Sequence, residues 1–317
     1  MTLVRSGSPR ALVVAALLAV QVFFGLHYIG AKIVLAYIPP PAWATLRILF
    51  AAALILPATA LAGKRWPRGA ADHARIALYA LFGVVINQIC FVEGLSRTEA
   101  SHSTIISTSI PVATLLIAIL VGREGATAGK VAGIGLSLAG VFYLIGHSGI
   151  SLSGGVMTGD LLMLGNSVSY SFFLVISKPI LSKYSSQAVT ALLLGYGAVG
   201  ITLFGVRDLL RADLSVVPAA AWGWAAFVVL FATVGAYLLN SWALKRAESS
   251  LVALFIYVQP LIASSMAVFL LGERITIHLI VAAALIFTGV FVALIARPAE
   301  KIAPEVGGTP GAAISPE

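Results

Sequence analysis

The sequence predicts an all-α polytopic membrane protein: ten transmembrane helices in two inverted five-helix repeats, with the N- and C-termini in the cytoplasm. This prediction follows from an apolar composition, ten apolar runs of membrane-spanning length and an internal repeat. Hydrophobic residues make up 60% of the 317 positions and charged residues only 10%, whereas soluble domains carry roughly 25% charged residues. A water-soluble globule of this size could not cover its surface with so few ionic groups, so the composition excludes a soluble enzyme and a disordered chain.

Composition also limits the partners of the chain. The single cysteine, Cys90, excludes internal disulfides and cysteine-rich metal sites. The net charge of +8 does not require nucleic acid, because membrane proteins concentrate Lys and Arg in cytoplasmic loops. We therefore expect a lipid bilayer and a small-molecule substrate as partners, and no metal, cofactor or nucleic acid.

Ten apolar runs are long enough to cross a membrane. A helix needs about 20 apolar residues to span a hydrocarbon core about 30 Å thick, and these runs far exceed the roughly ten alternating residues of a barrel strand. The predicted spans are residues 11–36, 41–62, 74–95, 98–121, 126–147, 159–179, 186–207, 219–243, 248–271 and 276–296.

The segments outside the spans are short. The first run continues from Ala11 to about Ala36, which is too long for a cleavable signal sequence, so we expect a retained helix. The Pro- and Gly-containing end of the chain has a composition typical of disorder. The predicted divisions are a cytoplasmic N-terminal segment (1–10), the first repeat (11–147), an extracytoplasmic linker (148–158), the second repeat (159–296) and a disordered cytoplasmic tail (297–317).

The distribution of positive charge gives the orientation. With the N-terminus inside, the cytoplasmic segments hold fourteen Lys and Arg residues and the opposite face holds four. This bias favours both termini in the cytoplasm and an even number of spans. Short loops without a transit-type extension favour a bacterial inner membrane.

An internal repeat relates the two halves. Sliding the chain against itself by 149 residues brings residues 97–142 into register with residues 246–291 without a gap, and with a shift of 146 Lys32 meets Lys178. Each half holds five spans, so the second half enters the membrane upside down, as in the inverted repeats of secondary transporters. The aligned pairs include Pro111 with Pro260, Glu124 with Glu273, Thr127 with Thr276, and Gly140 with Gly289.

Several motifs carry a family resemblance. They are Asn87-Gln88, the run Glu93 to Ala100, Pro111, the run Ala247 to Ser250, Pro260, the run Gly272 to Thr276, and Gly289-Val290. With Arg47 early in span two, they resemble the EamA-like family of the drug/metabolite transporter (DMT) superfamily over about residues 11–296. The resemblance implies ten helices in two inverted halves and, usually, export of amino acids, drugs or other small metabolites. Span seven departs from the internal symmetry because it has no arginine equivalent to Arg47.

Two prolines and a set of polar side chains are the candidate site residues. Pro111 and Pro260 interrupt spans four and nine near their middle, and the carbonyl freed four residues back faces protein or a water-filled cavity. These kinks either line a cavity or serve packing alone. Polar groups inside spans tend to face the bundle interior, as interhelical hydrogen-bonding residues or as pore lining. The candidates for substrate binding are His27, Arg47, Asn87, Gln88, Glu93, Asn166, Tyr170, Tyr257 and Gln259.

Three of these residues suggest further functions. His27 and Glu93 are candidates for proton coupling, because histidine titrates near neutrality and a desolvated carboxylate can be shifted towards it. Glu93 could instead pair with Arg97, one turn on. Arg47 could meet an anionic substrate group or be a snorkelling side chain.

Other residues point to packing. Glu124 and Glu273 are expected to accept hydrogen bonds at the starts of spans five and ten, beside Thr127 and Thr276. On span five, Gly133, Ser137 and Gly140 form a seam of small residues that lets another helix approach closely. Whether that partner belongs to the same chain or to a homodimer stays open.

The predicted function is that of a secondary active transporter, an exporter working by alternating access. No P-loop is found in the sequence, so an ion gradient would supply the energy, with the proton as a candidate coupling ion. The alternatives are a passive channel and an intramembrane lipid-modifying enzyme. The enzyme is disfavoured, because the ionisable groups within the spans are few and scattered, and we assign no catalytic residue.

Overall fold

We analysed a computed structural model that describes residues 10–122, 125–147, 155–247, 252–253 and 255–295. The predicted disordered tail lies outside these residues, as do Glu124 and the side chain of Tyr257. The regular secondary structure of the described residues is helical, which confirms the predicted all-α class. Its long segments are α1 (Arg10–Leu35), α2 (Pro40–Leu61), α3 (Ala70–Arg97), α4 (Ala100–Leu120), α5 (Ala128–His147), α6 (Gly155–Ile176), α7 (Ser186–Arg211), α8 (Ala219–Arg246), α9 (Val258–Leu271) and α10 (Ile277–Ile295).

Seven helices of the described part, α1–α4 and α6–α8, are long and apolar enough to cross a membrane. The helices α5, α9 and α10 each contain a shorter apolar stretch. A short helix, Lys178–Lys183, follows α6. A multi-pass membrane protein is therefore supported, and the count of ten spans stays a prediction.

The two repeats interlock through their first helices. The helix α1 packs against α8 and α9 of the second repeat, and α6 packs against α3 and α4 of the first. The remaining pairs, α2 with α7 and α5 with α10, join equivalent helices of the two halves. Each half therefore completes its bundle with a helix from the other half.

The small-residue seam of α5 is used within the chain. The Ser137 hydroxyl donates to the Ile286 carbonyl of α10 at 3.1 Å, and a Cβ added to Gly140 would lie 2.8 Å from Ile286 Cγ1. A Cβ added to Gly289 would lie 2.5 Å from Ser137 N. Since Ser137 and Ile286 are 149 residues apart, as are Gly140 and Gly289, the interface follows the internal repeat. A homodimer would need a different surface.

Two equivalent helices change winding in mid-span. Helix α3 contains a π-helical segment, Leu81–Ile86, and α8 contains another, Val228–Gly235. The 149-residue shift places Leu81 on Leu230, so the irregularity belongs to both repeats. Single π-helical turns are frequent at functional sites.

The two candidate prolines also mark changes of winding. Helix α4 consists of Ala100–Ser107 and Ile110–Leu120, separated by a tight turn just before Pro111. Pro260 lies in the first turns of α9, after a 3₁₀ turn at Phe255–Tyr257. Proline thus stands close to the irregular segment in each half, where its missing N–H costs least.

Helix capping differs from the sequence expectation in one respect. The Thr127 hydroxyl accepts from Lys130 N at 3.3 Å and the Thr276 hydroxyl accepts from Leu279 N at 3.2 Å, so the two threonines cap α5 and α10. Glu273 does not cap α10. Its carboxylate oxygens accept from Ala100 N at 2.8 Å and Ser101 N at 3.0 Å, at the start of α4. The side chain therefore joins the second repeat to the first.

Candidate functional site

A polar cavity lies where helices of the two repeats meet. Its volume, counted as the space that the centre of a water molecule can reach, is about 60 Å³. This is several times the volume that one water molecule requires. Helices α1, α2, α3 and α4 of the first repeat and α6, α8 and α9 of the second contribute to its wall. Polar groups from both halves thus converge on one space.

Most of the candidate residues converge there. Glu93 lies outside the cavity wall, near the end of α3, where it pairs with Arg97. Pro111 and Pro260 each follow a wall residue, Ile110 and Gln259. The candidates that line the cavity are His27, Arg47, Asn87, Gln88, Asn166, Tyr170 and Gln259.

Arg47 is the charged centre of the cavity. Its side chain is fully buried, and Nε donates to the Thr233 hydroxyl of α8 at 2.6 Å. Its Nη1 donates to Gln88 Oε1 and to His27 Nε2, each at 2.8 Å. Because a guanidinium can only donate, Nε2 accepts, and His27 carries its proton on Nδ1. Among the described residues no carboxylate forms an ion pair with Arg47.

Amide side chains extend this network across the two repeats. Gln88 Nε2 donates to Asn87 Oδ1 at 3.1 Å. Asn166 Nδ2 donates to the Asn87 carbonyl at 2.9 Å, and Asn87 Nδ2 reaches the Asn166 carbonyl at 3.4 Å. These bonds hold α3 and α6 together at the cavity wall, because buried polar groups are costly unless paired.

Two further polar contacts lie in the cavity wall. Asn240 Nδ2 donates to the Tyr170 hydroxyl at 3.0 Å. Gln259 Nε2 of α9 donates to Gln21 Oε1 of α1 at 2.6 Å. Each pair includes α1 or α6, the helices that pack on the other half. A movement of one repeat against the other would therefore change both contacts.

Aromatic rings form another part of the wall. His27 stacks on Phe91 with ring centroids 4.6 Å apart, and Tyr28 meets Phe91 edge-on at 5.3 Å. The Tyr28 hydroxyl lies 2.7 Å from the Ser107 hydroxyl, in the segment before Pro111. The wall therefore combines aromatic rings with a few polar groups, the composition typical of small-molecule sites.

Sequence reasoning missed several wall residues. Gln21, Phe24 and Tyr28 follow one face of α1 at helical spacing, and Phe91 lies one turn after Gln88 on α3. That spacing from His27 and Gln88 is the signal that could have found them. Tyr237, which donates to the Gly83 carbonyl at 2.8 Å, gives no such signal.

One contact within the first repeat and one between the repeats tie together one end of the bundle. Lys32 Nζ donates to the Leu95 and Thr98 carbonyls at 2.7 and 2.5 Å, where α3 ends. Glu273 reaches the start of α4 at this same end. Gly159 of α6 packs against Gly94 near this end, and the wall residue Leu174 lies about four turns further along the same helix, so the cavity wall reaches towards the opposite end.

The opposite end has its own ties. Lys178 Nζ donates to the Ala247 carbonyl at 3.2 Å, and Ala247 lies 149 residues after Thr98, so the two lysine contacts are equivalent. The Asp72 carboxylate accepts from Lys183 Nζ and the Tyr184 hydroxyl. Its hydrogen bond to Lys183 raises the pKa of that ammonium group. Within the described ranges no three His, Cys, Asp or Glu side chains come together as a metal site.

The fold and the cavity define a multi-pass membrane protein of the transporter class. A family model for the EamA-like transporter family matches residues 11–146 and again residues 157–295. The chain belongs to the EamA-like transporter family, and the resemblance seen in its motifs is confirmed.

Relatives from a bacterium, an archaeon and a plant are similar to this chain over most of its length. An uncharacterized transporter, YyaM, of Bacillus subtilis is 25% identical over 87% of this chain and 92% of its own length. An uncharacterized transporter of Archaeoglobus fulgidus is 24% identical over 85% of this chain and 94% of its own. The protein WALLS ARE THIN 1 of Arabidopsis thaliana is 25% identical over 70% of this chain and 66% of its own.

The fold also has a counterpart among solved structures. One crystal structure superposes with a TM-score of 0.63 at 18% sequence identity, covering 88% of this chain and 95% of the other. At that identity the likeness concerns the fold alone.

Proposed function

We propose that the protein is a secondary active transporter that exports small amphipathic solutes, such as amino acids, other metabolites or drugs, by alternating access. The observation that carries this proposal is the cavity, whose wall comes from both repeats and whose polar groups bond across them. Substrate sites of inverted-repeat transporters lie at the repeat interface, near irregular helix segments. The π-helical turn of α3 ends two residues before Gln88, and the π-helical turn of α8 contains Thr233.

The exchange of α1 and α6 supports a rocking movement. Each half contains one helix packed mainly on the other half, so the two bundles cannot move without changing the cavity wall. With the predicted orientation, the end held by Lys32 and Glu273 is extracytoplasmic, and the present conformation is closed to the outside.

Within this mechanism the cavity residues bind the solute. The rings of Phe91 and Tyr170 would contact its apolar part, and the amides of Asn87 and Gln88 would orient its polar part. If export is coupled to protons, His27 is the residue we propose for it, because protonation of Nε2 would remove its bond to Arg47. We propose a bacterial inner membrane as the location.

Counterflow in proteoliposomes tests the carrier mechanism. The full-length protein is first screened by thermal shift against amino acids, nucleosides and amphipathic drugs, since a bound ligand raises apparent stability. Liposomes are then loaded with each unlabelled binder, and uptake of the labelled compound is followed. Substrate on the trans side should accelerate uptake through a carrier and should not do so through a pore.

The controls separate the alternatives. Protein-free liposomes give the leak, and extraction of the lipids after the assay reports any chemical change in them. Uptake that is independent of trans substrate for every binder would overturn the carrier proposal in favour of a channel. Altered lipid without solute uptake would overturn it in favour of an intramembrane enzyme.

A further inference from the structure

Arg47 places an uncompensated positive charge in the cavity. We propose that the solute is a carboxylate with an apolar body and no ammonium group, and that Arg47 binds the carboxylate. This inference rests on the proposed function and narrows its substrate class, because it separates organic anions from zwitterionic amino acids and from amines.

The first step is the charge itself. A buried guanidinium is costly unless an anion or enough hydrogen-bond acceptors compensate it. The three acceptors of Arg47, on Thr233, His27 and Gln88, are all neutral. Among the described residues the hydrogen bonds of Arg47 come from Nε and Nη1, and Arg47 lines the cavity, so we assign Nη2 to an oxygen atom of the solute. A carboxylate matches the guanidinium in charge and in planar geometry.

The second step excludes an ammonium group next to that carboxylate. In an α-amino acid the amine is attached to the carbon that bears the carboxylate, so it would be held near the guanidinium and repelled. The two amide oxygens nearest to Arg47 each accept one hydrogen bond already, Gln88 Oε1 from Arg47 and Asn87 Oδ1 from Gln88, so each has only its second lone pair left for an ammonium group. Among the described residues that line the cavity, none is Asp or Glu.

The third step concerns the rest of the solute. Phe24, Phe91, Ile110 and Leu174 belong to the same wall as Arg47, and His27 stacks on Phe91. These side chains favour an apolar group attached to the carboxylate. A small hydrophilic anion would leave them without contact.

Arg47 could instead have only a structural function, holding the π-helical turn of α8 through Thr233. The two functions make different predictions for Gln88→Glu. This change is nearly isosteric and puts a carboxylate where Gln88 Oε1 lies 2.8 Å from Nη1. An internal counter-ion would preserve a structural clamp but would compete with an anionic solute for the guanidinium.

The test compares matched compounds on the purified full-length protein by thermal shift. One series is 3-phenylpropionate, 3-phenylpropanamide, 3-phenylpropylamine and phenylalanine, and the other is hexanoate, hexanamide, hexylamine and norleucine. We expect a member of the acid class to stabilise the wild type, and its amide, amine and amino-acid counterparts to bind at least about tenfold more weakly.

Two variants and one control complete the design. Gln88→Glu and Arg47→Gln should each weaken binding of the acid by about tenfold or more. Gln88→Glu loses the hydrogen bond from Nε2 to Asn87 Oδ1 and gains an ion pair with Arg47, so its unliganded thermal unfolding should remain a single cooperative transition. Arg207→Gln, which removes an exposed arginine at the end of α7, should leave the affinity for the acid unchanged.

The outcomes are distinguishable from those of the transport assay. Binding by neither acid, stronger binding of an amine or amino acid than of its acid, or full acid affinity in Gln88→Glu would overturn this inference. Counterflow of a nucleoside, amine or amino acid would leave the carrier proposal standing without it. Acid binding that depends on Arg47 without counterflow would support the anion site and overturn the carrier.

Discussion

Replacing Glu273 by Gln should open the end of the bundle that Lys32 and Glu273 close. In the present conformation both carboxylate oxygens accept backbone N–H groups, from Ala100 at 2.8 Å and Ser101 at 3.0 Å. Glutamine keeps one acceptor oxygen and loses the other, together with the negative charge at the start of α4. The contact joins the two repeats, so its loss affects the equilibrium between conformations more than it affects either half.

The magnitude follows from the bonds removed. A hydrogen bond to a charged group contributes about 1.5–3 kcal/mol, and a negative charge at a helix N-terminus contributes about 0.3–1 kcal/mol. Glu273 is partly exposed, so water replaces part of this interaction and the lower end of the range applies. A shift of about 2 kcal/mol changes the ratio of open to closed forms about 30-fold.

A single buried cysteine can report this opening. The natural Cys90 is first replaced by serine, and Ser103→Cys is introduced one turn after the start of α4. Ser103 is fully buried, and its hydroxyl has no hydrogen-bond partner in the described structure, so the exchange costs little. The rate of labelling by a membrane-impermeant maleimide then measures how often this end opens, and Glu273→Gln should raise that rate about 30-fold.

Asp213→Asn is the matched control. Asp213 lies in the loop between α7 and α8, at the same end of the bundle, and accepts from Ser215 N at 3.0 Å within its own loop. Its replacement should leave the labelling rate unchanged. Equal labelling of Ser103→Cys with and without Glu273→Gln would refute the gate, and so would an equal increase with Asp213→Asn.

Three further changes test the cavity and the packing. Tyr170→Ala, which removes the acceptor of Asn240, should reduce counterflow about tenfold with normal surface expression; wild-type kinetics would move the site elsewhere. Gly289→Ala should lower the free energy of unfolding by about 1–3 kcal/mol, measured by thermal unfolding, because the added Cβ would press on α5. Gly135→Ala is the control: its added Cβ would meet nothing within 4 Å, so the change should be neutral or stabilising by up to about 1 kcal/mol. Glu93→Gln should still accumulate substrate under a pH gradient, and loss of accumulation would assign proton coupling to Glu93.

Much of the architecture can be predicted from the sequence because the bilayer leaves few choices. Backbone groups in hydrocarbon must be satisfied within the segment, so long apolar runs become helices. Polar groups such as Asn87 and Asn166 are costly towards lipid, so their presence in a span already indicates the bundle interior. The small-residue seam of α5 likewise indicated a close helix contact, and the structure places α10 there.

What could not be predicted are contacts between segments distant in sequence. Glu273 stands three residues before Thr276, so local patterns favour a cap at the start of α10. In the structure Thr276 supplies that cap, and the carboxylate of Glu273 is left to cross to Ala100. The rings of Phe91 and Tyr28 are indicated only by their helical spacing relative to polar wall residues such as Gln88, because an aromatic residue by itself in an apolar span is equally compatible with lipid, packing or a cavity.

The comparison of the two halves separates the moving parts from the binding parts. Lys32 and Lys178 make equivalent contacts, to the carbonyls of Thr98 and Ala247, as two alternating ends require. The shifts of 146 and 149 residues place Arg47 on Leu193 and Tyr196, respectively, and neither residue lines the cavity. An alternating-access transporter needs equivalent gating contacts at both ends of the bundle, but only one charged residue in its substrate site. Duplication supplies the equivalent gating contacts, and divergence at the position of Arg47 supplies the single charge. Gating contacts should therefore be sought in pairs along the repeat, and specificity where the repeat fails.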